Sequence, residues 1–174
     1  MNPWKNKQWH KFYDNCQAAQ TGLRLHFQQG IDSVLRSVFL DFARWLRINY
    51  PFPVRINVYI KNSNSIKAMD GELVSATFFG PDHLLKFPYV KIAAGDHRSI
   101  SESSGEFGEF NAICDRISSL AHELTHYFQW INDMDEYMSD RQCERQAQYY
   151  QKTIVYDYLD EQGYDLMESL GIPC

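Results

Sequence analysis

Three residues in the string "SLAHELTHYFQW", 119 to 130, could do chemistry together: His122, Glu123 and His126. On a helix, residues four apart stack on one face about one turn apart, so two imidazoles can address a single ion. Glu123, the next residue along, projects about 100° round the axis and can reach a water on that ion without ligating it. A metal-bound water has its pKa lowered towards neutrality, and a carboxylate beside it can take a proton as the water attacks a carbonyl. The same carboxyl group can then return the proton to a leaving amine.

Two histidines do not complete a hydrolytic centre, which takes three protein ligands and leaves a position open for water. In the metzincin pattern a Gly and a third His follow the second His at three and six residues; here Gln129 and Asn132 hold those places. A deformylase arrangement needs an upstream Cys ligand in a Gly-flanked segment, which Cys114 does not supply. There remains a carboxylate from the next helix. Glu144 stands 18 residues beyond His126 within "CERQAQYY", a gap that suits a turn and a returning helix. Ala147, three residues on, is small enough for close helix packing there. Asp133, Asp135, Glu136 and Asp140 compete for the same role.

The elements that must position these groups follow from periodicity. Ile113, Ile117, Leu120, Ala121, Leu124 and Phe128 form the buried side of a helix expected from about Asn111 to Ile131, with Asn111 as cap. A last long helix is expected from about Asp135 to Asp160, with Gly163 as terminator. Upstream, Ile31, Val34, Leu35, Val38, Phe39, Phe42, Trp45 and Leu46 mark an amphipathic helix that the prolines of "YPFP" stop. The alternation in "VRINVYI" reads as a half-buried strand, and further strands are expected in "ELVSATFF" and "YVKIAA". The Gly- and Ser-rich "GDHRSISESSGEFGEFN" reads as a long loop that could cover a cleft. Residues 1 to 30 yield only a short helix, capped by Asn2 with Pro3 at its first position. The order predicts one α+β domain over residues 1–174.

The strings "LAHELTHYFQW" and "ERQAQYY" resemble the gluzincin metallopeptidases, in which a Glu on a later helix completes the H-E-x-x-H site. "HELTH" is the form found in thermolysin-like enzymes, and the wider pattern looks more like small gluzincins of the ImmA/IrrE type. The motif resemblance covers roughly residues 111 to 160. It implies Zn²⁺ held by His122, His126 and Glu144, with Glu123 as general base. It also implies a zincin-like fold: an N-terminal helix and small twisted mixed β-sheet packed on the motif helix and the Glu-bearing helix. An edge strand of that sheet would bind a protein or peptide substrate as an extended strand. One place departs from the thermolysin-like pattern: Gln148 stands where those enzymes carry an Asp four residues after the ligand Glu. The group orienting a ligand histidine must then be another residue or a backbone carbonyl.

Composition narrows the alternatives. The formal charge of −5, with only "WKNKQWHK" as a basic cluster, argues against a nucleic-acid surface. No stretch approaches the roughly 20 apolar residues that span a bilayer, and no secretory h-region is read, so a cytoplasmic protein without membrane partners is expected. Cys16, Cys114, Cys143 and Cys174 are scattered, as suits reduced thiols. No oligomeric state is read from the chain. An oxyanion-stabilising group is sought among Tyr149, Tyr150, Tyr156, Tyr158 and His97, although packing is the commoner role for one of 11 tyrosines. His10, His26 and His83 read as structural or surface residues, and Tyr127, Phe128 and Trp130 as core. Glu102, Glu106 and Glu109 would favour a basic or neutral peptide if they flank a cleft. The competing functions are a zinc-binding regulatory or interaction module with little turnover, and a metal-free helical protein.

Overall fold

A computed structural model describes residues 2–7, 9, 21–69, 71–81 and 86–174. His10, Cys16, His83 and the Asp135 side chain lie outside the described residues, as does part of the basic cluster. The architecture is α+β, with a small mixed sheet and helices packed on it. Strand β1 (Leu23–Phe27) leads into helix α1 (Ser33–Asn49), then β2 (Ile56–Lys61). The short pair β3 (Ile66–Lys67) and β4 (Leu73–Val74) precedes β5 (Ala76–Phe79) and β6 (Tyr89–Ala93). Helices α2 (His97–Ser103), α3 (Gly108–Ile131), α4 (Asp140–Tyr158) and α5 (Tyr164–Ser169) complete the chain.

The main sheet runs β1-β2-β6-β5, with β1, β2 and β6 parallel and β5 antiparallel at one edge. The β1-α1-β2 unit is a crossover, which two parallel neighbours require. Alternation in β2 works as expected, Ile56, Val58 and Ile60 being buried between half-buried Asn57, Tyr59 and Lys61. Asp32 caps α1 by accepting the backbone N–H groups of Val34 (2.8 Å) and Leu35 (3.2 Å). Phe39, Phe42 and Leu46 from α1 join Val58, Ile92, Ile117, Leu124 and Phe128 in one apolar core. The motif helix α3 packs against β5, β6 and α4, so its face at residues 122–126 meets both the sheet edge and the following helix.

Several expectations are corrected. Residues 3–5 form a turn rather than a helix; Asn2 accepts the Trp4 backbone N–H through its side chain, at 3.0 Å. Strand β1 was not anticipated, although Leu23, Leu25 and Phe27 alternate with Arg24 and His26. The long loop is largely helical: α2 fills residues 97–103, and α3 starts at Gly108, three residues before Asn111. Buried polar contacts hold α2 in place, with Arg116 Nη2 2.6 Å from Asp96 Oδ1 and His97 Nε2 3.0 Å from Glu109 Oε1. The last long helix begins at Asp140, after a 3₁₀ turn over Met134–Glu136. Gly163 does not terminate it. The chain widens into a π-turn over Leu159–Gly163 and continues as α5. A Cβ at Gly163 would lie 2.9 Å from the Tyr158 ring and 2.9 Å from Leu159 Cδ2, so a larger residue there would have to displace both side chains. The tail packs through Met167 and Ile172 and does not line the cleft described below.

His26 stacks on Tyr59 and bonds Asn57 at the surface, as expected of a structural histidine. Among the described residues no helix is long and apolar enough to cross a membrane, and Cys114, Cys143 and Cys174 are free thiols.

Candidate metal centre

Helix α3 places His122 and His126 one turn apart, with ring centroids separated by 4.9 Å. Helix α4 returns beside it and brings in Glu144. The three side chains converge, Glu144 through both of its oxygens. His122 Nε2 and His126 Nε2 are 3.1 Å apart; Glu144 Oε1 is 3.2 Å from His126 Nε2, and Glu144 Oε2 is 3.4 Å from His122 Nε2.

The proton positions are set from behind. Gln129 Nε2 donates to Cys143 O and to Gln146 Oε1, each at 2.9 Å, so its Oε1 is the atom presented to His126 Nδ1 at 2.8 Å. That ring must therefore donate from Nδ1, which leaves Nε2 with its lone pair. Gln151 Oε1 lies 3.0 Å from His122 Nδ1, where it can accept from that ring. Burial and, next, the neighbouring His122 hold His126 below the ordinary histidine value, so a second proton on its ring is disfavoured. The His126 Nε2 lone pair then faces His122 Nε2 and the Glu144 carboxylate. Such an arrangement is costly unless a cation sits among the donors.

The spacing suits one. Bonds of about 2.0–2.1 Å at tetrahedral angles set ligand atoms roughly 3.3 Å apart, close to the separation of the two Nε2 atoms and to that of each ring from its nearer Glu144 oxygen. The Glu144 side chain is 53% exposed while the His122 and His126 side chains are each 19% exposed, so the common point opens to one side.

Glu123 projects from the adjacent position on α3 and is almost buried. Burial and then the Glu144 carboxylate push it up to about 8, opposed by a hydrogen bond from the Phe78 backbone N–H. A cation at the three donors would offset the Glu144 charge and favour the ionised form. The same cleft, about 580 Å³ in volume, is flanked by Ala76, Thr77, Phe78 and Gly80 on the β5 side and by Asp140 and Cys143 on α4. Trp130 closes one wall, 6.3 Å from Phe78 between ring centroids. Gly80 permits this approach, because a Cβ there would stand 2.6 Å from Trp130 Cδ1.

Of the residues nominated from sequence, His122, Glu123, His126 and Glu144 come together. Asp140 lines the cleft but is not among the converging donors, and neither are Asp133 and Glu136. The candidate oxyanion groups do not reach it: Tyr149 and Tyr156 point to solvent, Tyr150 lies elsewhere on α4, and Tyr158 donates to Asp41 Oδ2 at 3.1 Å. Tyr127 and Phe128 are core residues as expected, whereas Trp130 belongs to the cleft wall. Glu102 and Glu106 do not line the cleft, and Glu109 is engaged by His97 and Ser101. Gln129 and Gln151 were missed. Their only sequence signal is position, Gln129 three residues after His126 on the same helix and Gln151 seven after Glu144.

His97 belongs to a second trio, with Asp32 and Glu109, whose candidate donor atoms lie within 4.8 Å of one another. Its carboxylates are already occupied. Asp32 caps α1, and Glu109 accepts from Ser101 and pairs with His97. Comparison of the chain with protein-family models, curated proteins and solved structures gives no match.

Proposed function

We propose that this chain is a zinc-dependent endopeptidase of gluzincin type on a zincin-like fold. The observation that carries the reading is the convergence of His122 Nε2, His126 Nε2 and a Glu144 carboxylate, 3.1 to 3.4 Å apart, with the Glu123 carboxyl in the same cleft. Zn²⁺ suits two imidazoles and a carboxylate with one open position, and when bound it would supply an acidified water and an electrophile for a carbonyl. Glu123 then has the role of general base, taking the proton from that water and later delivering it to the departing amine. Its burial keeps competing solvent away from that transfer.

Strand β5 is an edge among the described residues and forms one wall of the cleft. An extended peptide can add to such an edge through backbone hydrogen bonds while its side chains alternate between cleft and solvent. Phe78 and Trp130 offer an apolar surface there. The decisive experiment joins metal analysis of the purified protein to peptide cleavage by wild type and Glu123→Gln. One zinc per chain in both proteins with cleavage only in the wild type supports the mechanism; undiminished cleavage by Glu123→Gln excludes it.

The second reading is a zinc-binding regulatory or interaction module with little turnover. One observation favours it: among the described residues, the cleft is lined by no Tyr or Arg and by no His beyond the pair. A zinc-loaded wild type that binds peptides but leaves them intact would select it.

A further inference from the structure

We infer that Gln129 is the positioning residue of the metal centre, setting both the tautomer of His126 and the placement of the Glu144-bearing helix, while Gln151 is an exchangeable support. The inference rests on the metal-centre reading above and concerns what holds the donors in place.

The two glutamines touch the two histidines in the same way but are embedded differently. Gln129 is 3% exposed and its amide is bonded at every corner: Oε1 to His126 Nδ1, Nε2 to Cys143 O and Nε2 to Gln146 Oε1. Turning the amide over would put its N–H₂ against a ring N–H and its oxygen against two acceptors, losing all three bonds. Cys143 immediately precedes Glu144. One side chain thus spans from the second histidine to the backbone beside the third donor, and fixes both by the same orientation. Gln151 meets His122 Nδ1 at 3.0 Å from the half-buried side of α4 and spans to no third group in this way.

Glutamine is also an unusual chemical choice for this position. A carboxylate behind a ligand imidazole raises its basicity more than a neutral amide does. At Gln151 a carboxylate could replace the amide, because only the accepting oxygen is used. At Gln129 it could not, because the two donors to Cys143 O and Gln146 Oε1 would become a negative charge facing two acceptors. The structure therefore distinguishes two otherwise identical substitutions.

The test measures zinc affinity by competition with a chelator of known affinity, and the imidazole tautomers by long-range ¹H–¹⁵N spectra of the metal-free protein. In the wild type both rings should carry the proton on Nδ1. Gln129→Met should lose that preference at His126 and weaken zinc binding by about 10–100-fold, the range seen when an outer partner of a ligand is removed. Gln129→Glu should keep the His126 tautomer and still weaken binding, whereas Gln151→Glu should bind zinc at least as tightly as the wild type. Zinc affinity within about twofold of wild type in both Gln129 variants would overturn the inference and leave the metal centre intact. So would a weakening in Gln151→Glu equal to that in Gln129→Glu. If the Gln129 variants fail to fold, the wild-type spectrum still decides, since a proton on His126 Nε2 contradicts the proposed role. A wild-type protein that takes up no zinc overturns the metal-centre reading itself.

Discussion

Among the described residues the molecule contains two trios of a similar kind, His122/His126/Glu144 and Asp32/His97/Glu109, and their donor atoms are engaged differently. Both gather titratable donors within 4.8 Å. In the second, the acceptors meet donors: Asp32 takes two helix N–H groups, and Glu109 takes the Ser101 hydroxyl and pairs with His97. It gathers groups from the starts of α1, α2 and α3, and it leaves the buried His97 Nδ1 without a hydrogen-bond partner. In the first, two imidazole Nε2 atoms and the Glu144 carboxylate face one another at the mouth of a cleft, with Gln129 and Gln151 behind the rings. Composition does not separate the two clusters; the partners that each donor atom already has do.

The largest effect expected from this contrast is chemical. Glu123→Gln should lower peptide hydrolysis by about 10²–10⁴-fold, the usual worth of a general base, with zinc content unchanged by metal analysis. His97→Gln should leave hydrolysis within a fewfold of wild type. Equal losses in the two variants would erase the distinction.

Next comes pH. Glu123 is raised from 4.5 to about 8 in the folded chain, so the folded state holds a proton that the unfolded state releases earlier. Its contribution to stability is fully present below about 4.5 and is lost as pH rises through about 8. Metal-free wild type should therefore weaken by an amount on the order of a few kcal/mol over that window, and Glu123→Gln should not. Urea unfolding at a series of pH values measures it, and parallel curves for the two proteins would refute it.

Zinc itself should act on one trio only. At a free concentration 100 times its Kd, zinc should stabilise the wild type and His97→Gln by about 2.7 kcal/mol, and should give Glu144→Ala much less, as read by denaturant unfolding. A stoichiometry of two zinc ions per chain would break the comparison, since the second trio would then be a site. The smallest effect belongs to the cap: Asp32→Ala should cost about 1 kcal/mol and leave zinc stoichiometry at one.

What was legible in the chain follows the same division. Helices α1 and α3 and the middle of α4 were readable because each buries an apolar stripe at helical period, and the candidate metal donors because they ride on those helices at usable spacings. Strand β1 was not, since five residues of alternation between polar flanks compete poorly with the turn residues around them. Helix α2 was hidden because its serines and glutamate carry no apolar stripe; it is held by buried partners, His97 with Glu109 and Asp96 with Arg116, contributed in part by α3. The position of β5 at the sheet edge depends on pairing order, which local pattern does not encode. Gln129 and Gln151 were invisible for a related reason, as their partners are fixed by how α3 and α4 lie together.

Two tryptophans give the motif helix a built-in optical readout. Trp130 stands in the cleft wall, while Trp4 is buried behind the helix, its indole N–H 3.0 Å from Thr125 Oγ1 and its ring 4.6 Å from Phe128. A peptide laid along β5 would shield Trp130 from water and shift its emission to the blue. Movement of the helix would instead disturb the bond at Trp4. Single-tryptophan variants could thus tell occupancy of the cleft from displacement of its scaffold in unlabelled protein, with each fluorophore serving as the other's reference.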